Sequence, residues 1–349
     1  MTLKSEIFEQ PSILNHLVVD QMKHIQGIAR ELGEHEFQYV FLAARGTSDN
    51  AGVYTEYLWG AFNRIPVMLA TPSLFSIYKQ PPLLNGALVM GISQSGQSPD
   101  IISVLEEGKR QGRPTLAITN DPASPLAKTA DFVIDIQAGQ ETAVAATKTY
   151  TAQLMAIAML STALQANANK RKAQREALKA IPEWIEQTLM LDDQIERVAQ
   201  RYRYMQQCVV LGRGYNYATA FEWSLKLKEL TYVAAEPYSP ADFQHGPIAI
   251  LERGFPVLAV VPSGAVYEDI MNLLSYLQHE QKVELLTISD EARALELADV
   301  PIMLPTGIPE WLTPLVSIIP AQLFTYHLTL AKGYDTEAPR GLKKVTKTQ

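Results

Sequence analysis

The chain carries one cysteine in 349 residues, Cys208. A single cysteine excludes a disulfide framework within one chain and fits a reducing compartment. Cys208 opens the apolar run Cys208 to Leu211, which places it in a core rather than at a nucleophilic site. Positive charge is also scarce, with 30 Lys and Arg against 37 Asp and Glu for a net charge of −7. That balance argues against nucleic acid or an anionic membrane as a bulk partner. No apolar run is long enough to cross a bilayer, and Met1-Thr2-Leu3-Lys4-Ser5-Glu6 lacks the apolar core of a signal peptide. Cytoplasm is the expected location. No His, Cys and Asp cluster has metal-ligand spacing, and neither a dinucleotide fingerprint nor a nucleotide P-loop is present. No metal or organic cofactor is expected. What is there, 47% hydrophobic and 19% charged residues, suits a globular protein long enough for two ordinary domains.

The chain is organised around Ala87-Leu88-Val89-Met90-Gly91-Ile92-Ser93-Gln94-Ser95-Gly96-Gln97-Ser98-Pro99-Asp100. The apolar part reads as a buried parallel strand. Ser98 is placed to cap a helix with Pro99 at its first position and Asp100 in its first turn. A strand, a serine-rich turn and a helix N-terminus together form an anion site, with free amides and hydroxyl donors facing the ligand. An ordinary polar loop is the competing explanation. Three serines and a glutamine within six residues favour phosphate.

Further strands are expected at Tyr39–Ala43, 115–119 and 132–136, alternating with helices, so a parallel sheet flanked by helices follows. A long helix is expected from Ser12 to Leu32, ended by Gly33, and the stretch from Tyr150 to Arg203 is mostly helical. The second half then repeats the first. Arg45-Gly46 returns as Arg213-Gly214, Ser95-Gly96 as Ser263-Gly264, and Ala130-Asp131 as Ala298-Asp299, each with an offset of 168. Two copies of one α/β sandwich are predicted, divided as 1–190 and 191–349. Only the first carries the serine cluster, so only the first is expected to bind phosphate well.

Three other stretches hold chemistry. Glu222, Lys226 and Glu229 are spaced i, i+4, i+7 and share one helix face. A solvated, salt-bridged stripe is the ordinary explanation, but Trp223, Leu225, Leu227 and Leu230 leave little room for it. A glutamate beside lysines suits a general base on a carbon acid. His245, between Gln244 and Gly246-Pro247, sits in a loop where acid–base work near neutral pH is possible. Small residues in Glu141 to Thr149 allow close approach of a ligand to the backbone. The basic tail around Arg340, Lys343 and Lys344 reads, by itself, as a solubilising end.

From Tyr39 to Lys344 the chain resembles the tandem sugar-isomerase (SIS) domain family, which includes the isomerase half of glucosamine-6-phosphate synthase and stand-alone amino-sugar phosphate deaminases. The resemblance rests on Gly46-Thr47-Ser48, Ser93-Gln94-Ser95-Gly96, Val144-Ala145-Ala146-Thr147-Lys148, Leu225-Lys226-Leu227-Lys228-Glu229, His245-Gly246-Pro247, Pro339-Arg340 and Lys344. It implies that Thr47, Ser48, Ser93, Gln94, Ser95 and Ser98 hold a 6-phosphate, and that Glu141, Val144 and Ala145 line the sugar. It further implies that Glu229 moves a proton between C1 and C2 with Lys226 beside it. His245 would open the ring from the neighbouring subunit of a homodimer, and Lys344 would lie over the open-chain sugar. In the synthase the lysine matching Lys344 forms an imine with the ketose. Departures accompany the likeness. Arg45 stands where the synthase has cysteine, Gln97-Ser98-Pro99-Asp100 replaces its Gly-Glu-Thr pattern, and the glutaminase domain with its cysteine nucleophile is not in this sequence.

The expectation is an isomerising deaminase acting on glucosamine 6-phosphate, with a small phosphosugar as partner and no nucleic acid or membrane. The alternatives are a fructosamine- or galactosamine-6-phosphate enzyme, a synthase-like aminotransferase, and a phosphosugar sensor without turnover.

Overall fold

The structure, a computed structural model, describes residues 2–344. These form two compact units, an N-terminal one of 9–142 and 146–182 with Lys343 and Lys344, and a C-terminal one of 2–8, 143–145 and 183–342. Each contains one five-stranded parallel sheet flanked by helices. The first comprises β1 (Tyr39–Ala43), β2 (Val67–Leu69), β3 (Ala87–Ser93), β4 (Thr115–Thr119) and β5 (Phe132–Asp135). Its spatial order is β2-β1-β3-β4-β5. The second comprises β6 (Gln207–Leu211), β7 (Ala234–Tyr238), β8 (Pro256–Val260), β9 (Glu284–Ser289) and β10 (Val300–Met303). Its order, β7-β6-β8-β9-β10, repeats the first sheet. The 168-residue offset holds at the strand level, since β6 begins 168 residues after β1 and β10 begins 168 after β5. Each sheet therefore has the α/β architecture the sequence predicts.

The central strand β3 is buried along its whole length, because it pairs with β1 and β4 and helices cover both faces. Leu88, Val89, Met90 and Ile92 are each fully buried, and burial of each stabilises by about 1.5–3 kcal/mol relative to exposure. The helix Pro99–Arg110 packs on this strand. A Cβ at Gly108 would come within 2.7 Å of Val89, so glycine permits that close approach. Such continuous burial explains why β3 reads as an unbroken apolar run, whereas the edge strands β2 and β7, short and partly exposed, leave no such run.

Two details differ from the sequence reading. A short helix, Leu3–Phe8, precedes the long helix Gln10–Leu32. Gly33 ends that long helix with ordinary right-handed backbone, φ −65°, so the stop does not depend on glycine's access to positive φ. Cys208 is buried in β6, and burial pushes its thiol well above the usual range. It is a core residue.

In the C-terminal unit Asp192 accepts from His327 Nε2 at 2.6 Å and pairs with Lys4 Nζ at 2.6 Å. Burial alone would raise the Asp192 carboxyl, but the hydrogen bonds from His327 and Lys4 outweigh it and hold it below its ordinary value of 3.8. The unfolded chain therefore binds the proton more readily, and this contribution to stability is lost as pH falls below about 3.9. The thermal midpoint is expected to drop over that acid range. Asp192→Asn should flatten that part of the profile, and an unchanged acid limb in the variant would remove Asp192 as its source.

Candidate functional site

The anion loop lies at the carboxyl end of β3. Ser93 Oγ accepts from the Gly96 amide at 3.1 Å, and Ser95 Oγ accepts from the Gln97 amide at 3.3 Å. The carbonyls of Gln94 and Gly96 accept from Asn120 and Leu126. Gly96 adopts φ +60°, and a Cβ there would lie 2.2 Å from Ser124 Oγ. Only glycine fits that turn without strain. Because these serines accept from backbone amides, their own O–H protons stay uncommitted, and no described residue accepts a proton from Ser93, Ser95 or Ser98. Ser98 does occupy the position before the helix Pro99–Arg110, but its side chain makes no capping bond. The Ile101 amide instead donates to Asp100 Oδ1 at 3.0 Å. Asp100, fully buried, is paired with Arg45 Nε at 2.7 Å.

Thr47 and Ser48 open the helix Thr47–Asn63 after Gly46, whose φ is +55°. Thr47 is half-buried and Ser48 buried. Ser48 Oγ accepts from Gln153 Nε2 at 3.0 Å. At the next residue, burial lifts the Asp49 carboxyl above its usual range against the pull of Arg45. The N-terminal unit thus places two helix starts, each carrying serine hydroxyls, after the carboxyl ends of the neighbouring strands β1 and β3, and helix N-termini with hydroxyl donors suit a phosphate dianion.

Glu141 is buried, and its carboxylate is heavily engaged. Oε1 accepts from the amides of Thr147 at 2.9 Å and Thr149 at 3.2 Å, while Oε2 accepts from Thr149 Oγ1 at 2.8 Å and Lys344 Nζ at 2.6 Å. It therefore satisfies amides at the start of the helix Lys148–Ala163 and holds the tail lysine. Val144 is half-buried and Ala145 buried, and both belong to the C-terminal unit. Two described residues of the tail are anchored, Lys344 on Glu141 and Arg340 on Tyr232, while 340–343 remain exposed. Arg340 stacks 3.7 Å from the Tyr232 ring centroid and its amide donates to Tyr232 OH at 2.9 Å.

In the C-terminal unit the three charges of the helix face converge. Lys226 Nζ lies 2.5 Å from Glu229 Oε2 and 3.4 Å from Glu222 Oε1. Glu222 is fully buried and Lys226 2% exposed, while the Glu229 side chain keeps 23% exposure. A solvated stripe is ruled out. The helix Tyr217–Lys226 runs into a wide π turn, Leu227–Thr231, closed by Tyr232 at φ +56°. Glu229 sits on that turn, which periodicity at 3.6 residues does not foresee. A second π turn, Leu277–Gln281, shows that such a turn does not by itself mark a site. His245 ends the helix Pro240–Gln244 and is exposed, with no side-chain hydrogen bond to any described residue.

The second copy of the anion loop is closed on its own carboxylates. Asp290 accepts from the Ser263 amide and hydroxyl at 2.7 and 2.6 Å, and Glu310 accepts from the Ala265 amide at 2.9 Å. Among the described residues no group of His, Cys, Asp and Glu could hold a metal ion, and no helix is long and apolar enough to cross a membrane.

A family model described as SIS domain matches residues 38–163 and 204–332. The chain is 32% identical over 343 residues to the glutamine–fructose-6-phosphate aminotransferase (isomerizing) of Pyrococcus horikoshii, covering 97% of this chain and 56% of that one. It thus spans about half the length of the curated relatives it matches. Among solved structures, the C-terminal domain of glucosamine-fructose-6-phosphate aminotransferase from Francisella tularensis superposes with a TM-score of 0.87 at 28% identity, over 97% of this chain and 98% of that one. A protein from Silicibacter pomeroyi DSS-3 described as a phosphosugar isomerase superposes with a TM-score of 0.86 at 31% identity, over 96% of this chain and 100% of that one.

Proposed function

The chain belongs to the SIS domain family, and from that premise we propose that it is an isomerising deaminase of an amino-sugar 6-phosphate, with glucosamine 6-phosphate the substrate. One observation carries the reading: a carboxylate, Glu229, held 2.5 Å from a buried lysine while still partly exposed. That is the arrangement a carbon-acid base needs. The uncommitted hydroxyls of Ser48, Ser93, Ser95 and Ser98, with Thr47 and Gln94, bind the phosphate. The carboxylate-closed loop of the second copy supports a single phosphate site per chain.

In this reading His245 opens the pyranose ring, acting from the neighbouring subunit of a homodimer, and its freedom from other hydrogen bonds among the described residues suits that task. Glu229 takes the C2 proton and returns it to C1, with Lys226 stabilising the charge that develops. The aldehyde at C1 becomes an alcohol and the C2 amine becomes an imine. Water adds at C2, ammonia leaves, and fructose 6-phosphate remains. Lys344 lies over the open-chain sugar, and Glu141, Val144 and Ala145 shape its surroundings. No metal or organic cofactor enters these steps.

The names of the curated relatives favour a second reading, an isomerising aminotransferase that retains nitrogen on the sugar. Purified protein given glucosamine 6-phosphate is expected to release ammonia and fructose 6-phosphate in equal amounts. Isomerisation without ammonia would favour the aminotransferase. Absence of any turnover with glucosamine, galactosamine and fructosamine phosphates would leave a sensor.

A further inference from the structure

We infer that Gln153 is a positioning residue that fixes the hydrogen-bond polarity of Ser48 and so makes its hydroxyl a committed donor to an anionic oxygen. The inference rests on the phosphate reading of Ser48 above. Gln153 lies on the helix Lys148–Ala163, whose residues are almost all buried and mostly apolar or small. Its side chain is 1% exposed. Leucine or methionine would fill that space without the desolvation cost of an amide. Its one hydrogen bond is the donation from Nε2 to Ser48 Oγ at 3.0 Å, and its Oε1 has no partner among the described residues.

The direction of that bond decides the chemistry. A hydroxyl that accepts from an amide N–H keeps its own proton for another acceptor. No described residue takes the Ser48 proton. With the amide reversed, Ser48 would donate inward and both buried N–H donors would be left without partners, whereas the observed orientation leaves one N–H and the carbonyl, and buried N–H groups are orphaned more rarely than buried carbonyls. Gln153 therefore points the Ser48 O–H away from itself, at the start of the helix where the amides of Thr47–Asn63 begin.

The internal repeat supplies a control. The residue 168 positions after Ser48 is Asn216, which follows Arg213-Gly214 as Ser48 follows Arg45-Gly46. Asn216 Nδ2 donates to Thr313 Oγ1 at 2.7 Å, and its Oδ1 accepts from Ser317 at 2.8 Å and Thr219 at 3.0 Å. In the copy whose anion loop is closed on carboxylates, this position is spent internally. In the copy with the serine cluster, a buried amide keeps it open.

The test compares the full-length protein with Ser48→Ala, Gln153→Met and the double variant. Calorimetry gives the dissociation constant of inorganic phosphate, and steady-state kinetics on glucosamine 6-phosphate give KM and kcat. Gln153→Met is expected to raise both the phosphate dissociation constant and KM about tenfold, the loss of one charge-assisted hydrogen bond. Its kcat should stay within about twofold, because uniform binding is what is lost. The double variant should be no weaker than Ser48→Ala, since both changes remove the same interaction. Gln153→Glu, whose carboxylate accepts the Ser48 proton, should weaken phosphate further. If that buried charge prevents folding, the methionine variant of similar volume still decides. Full additivity in the double variant, or unchanged phosphate binding in Gln153→Met where Ser48→Ala weakens it, overturns the inference. Unchanged phosphate binding in Ser48→Ala overturns the phosphate reading and the inference together.

Discussion

Glu229→Gln is expected to lower kcat on glucosamine 6-phosphate by roughly 10²–10⁴-fold, the usual worth of a positioned general base. The substitution keeps the shape and the hydrogen bond to Lys226, now as an amide oxygen facing Nζ, but removes the ability to take a proton from C2. KM should change little, because Glu229 acts in the transition state and the phosphate loop supplies ground-state binding. Exchange of the C2 proton with deuterated solvent isolates the step from imine hydrolysis. A variant that exchanges that proton at the parental rate would take Glu229 out of the role. A variant slowed only in ammonia release would move it to the later step.

Lys226→Met is expected to destabilise the C-terminal unit by about 3–5 kcal/mol, the cost of breaking a buried ion pair from one side. Glu222 is fully buried and Lys226 nearly so, and removal of the ammonium takes away the cation that faces both carboxylates. The methionine chain fills the space, so the loss reports charge rather than a cavity. Urea unfolding followed by the fluorescence of buried Trp223 reads the effect. Glu222→Gln in the same background should recover most of the loss, because a neutral buried group no longer needs the cation. A midpoint within about 1 kcal/mol of the parent, on the scale of exposed pairs, would mean the cluster is effectively solvated. The two variants separate roles: Glu229→Gln should cost rate with little stability, and Lys226→Met should cost both.

Several particular elements show how far the chain could be read before its structure was known. The strands β1 and β4 were legible because a parallel strand buried on both faces must be an apolar run, and β1 and β4 have the predicted bounds. The repeat was legible because strand starts, a glycine after arginine and a glycine after serine recur at one offset. The edge strands β2 and β7 were not. Val67-Met68-Leu69 is only three residues, half exposed, and β7 contains Pro237, which an edge tolerates. The π turn holding Glu229 was not legible either, because one wide turn alters no composition and shifts the apolar pattern by less than a residue. The resemblance implies a sugar contact for Glu141, and its four bonds to Thr147, Thr149 and Lys344 have no local signal beyond an acid shortly before a helix.

The sequence alone therefore determined the α/β class, the doubled sheet and the serine loop after β3, since these depend on periodicity and on which residues lie a few positions apart. Tertiary structure alone decided that Lys226 is buried between two carboxylates, that Glu141 is committed to the backbone, and that Gln153, 105 residues after Ser48, polarises its hydroxyl. Those facts concern burial and the direction of hydrogen bonds between distant segments. Neither quantity exists until the chain has folded, because water satisfies every one of these groups in the open chain.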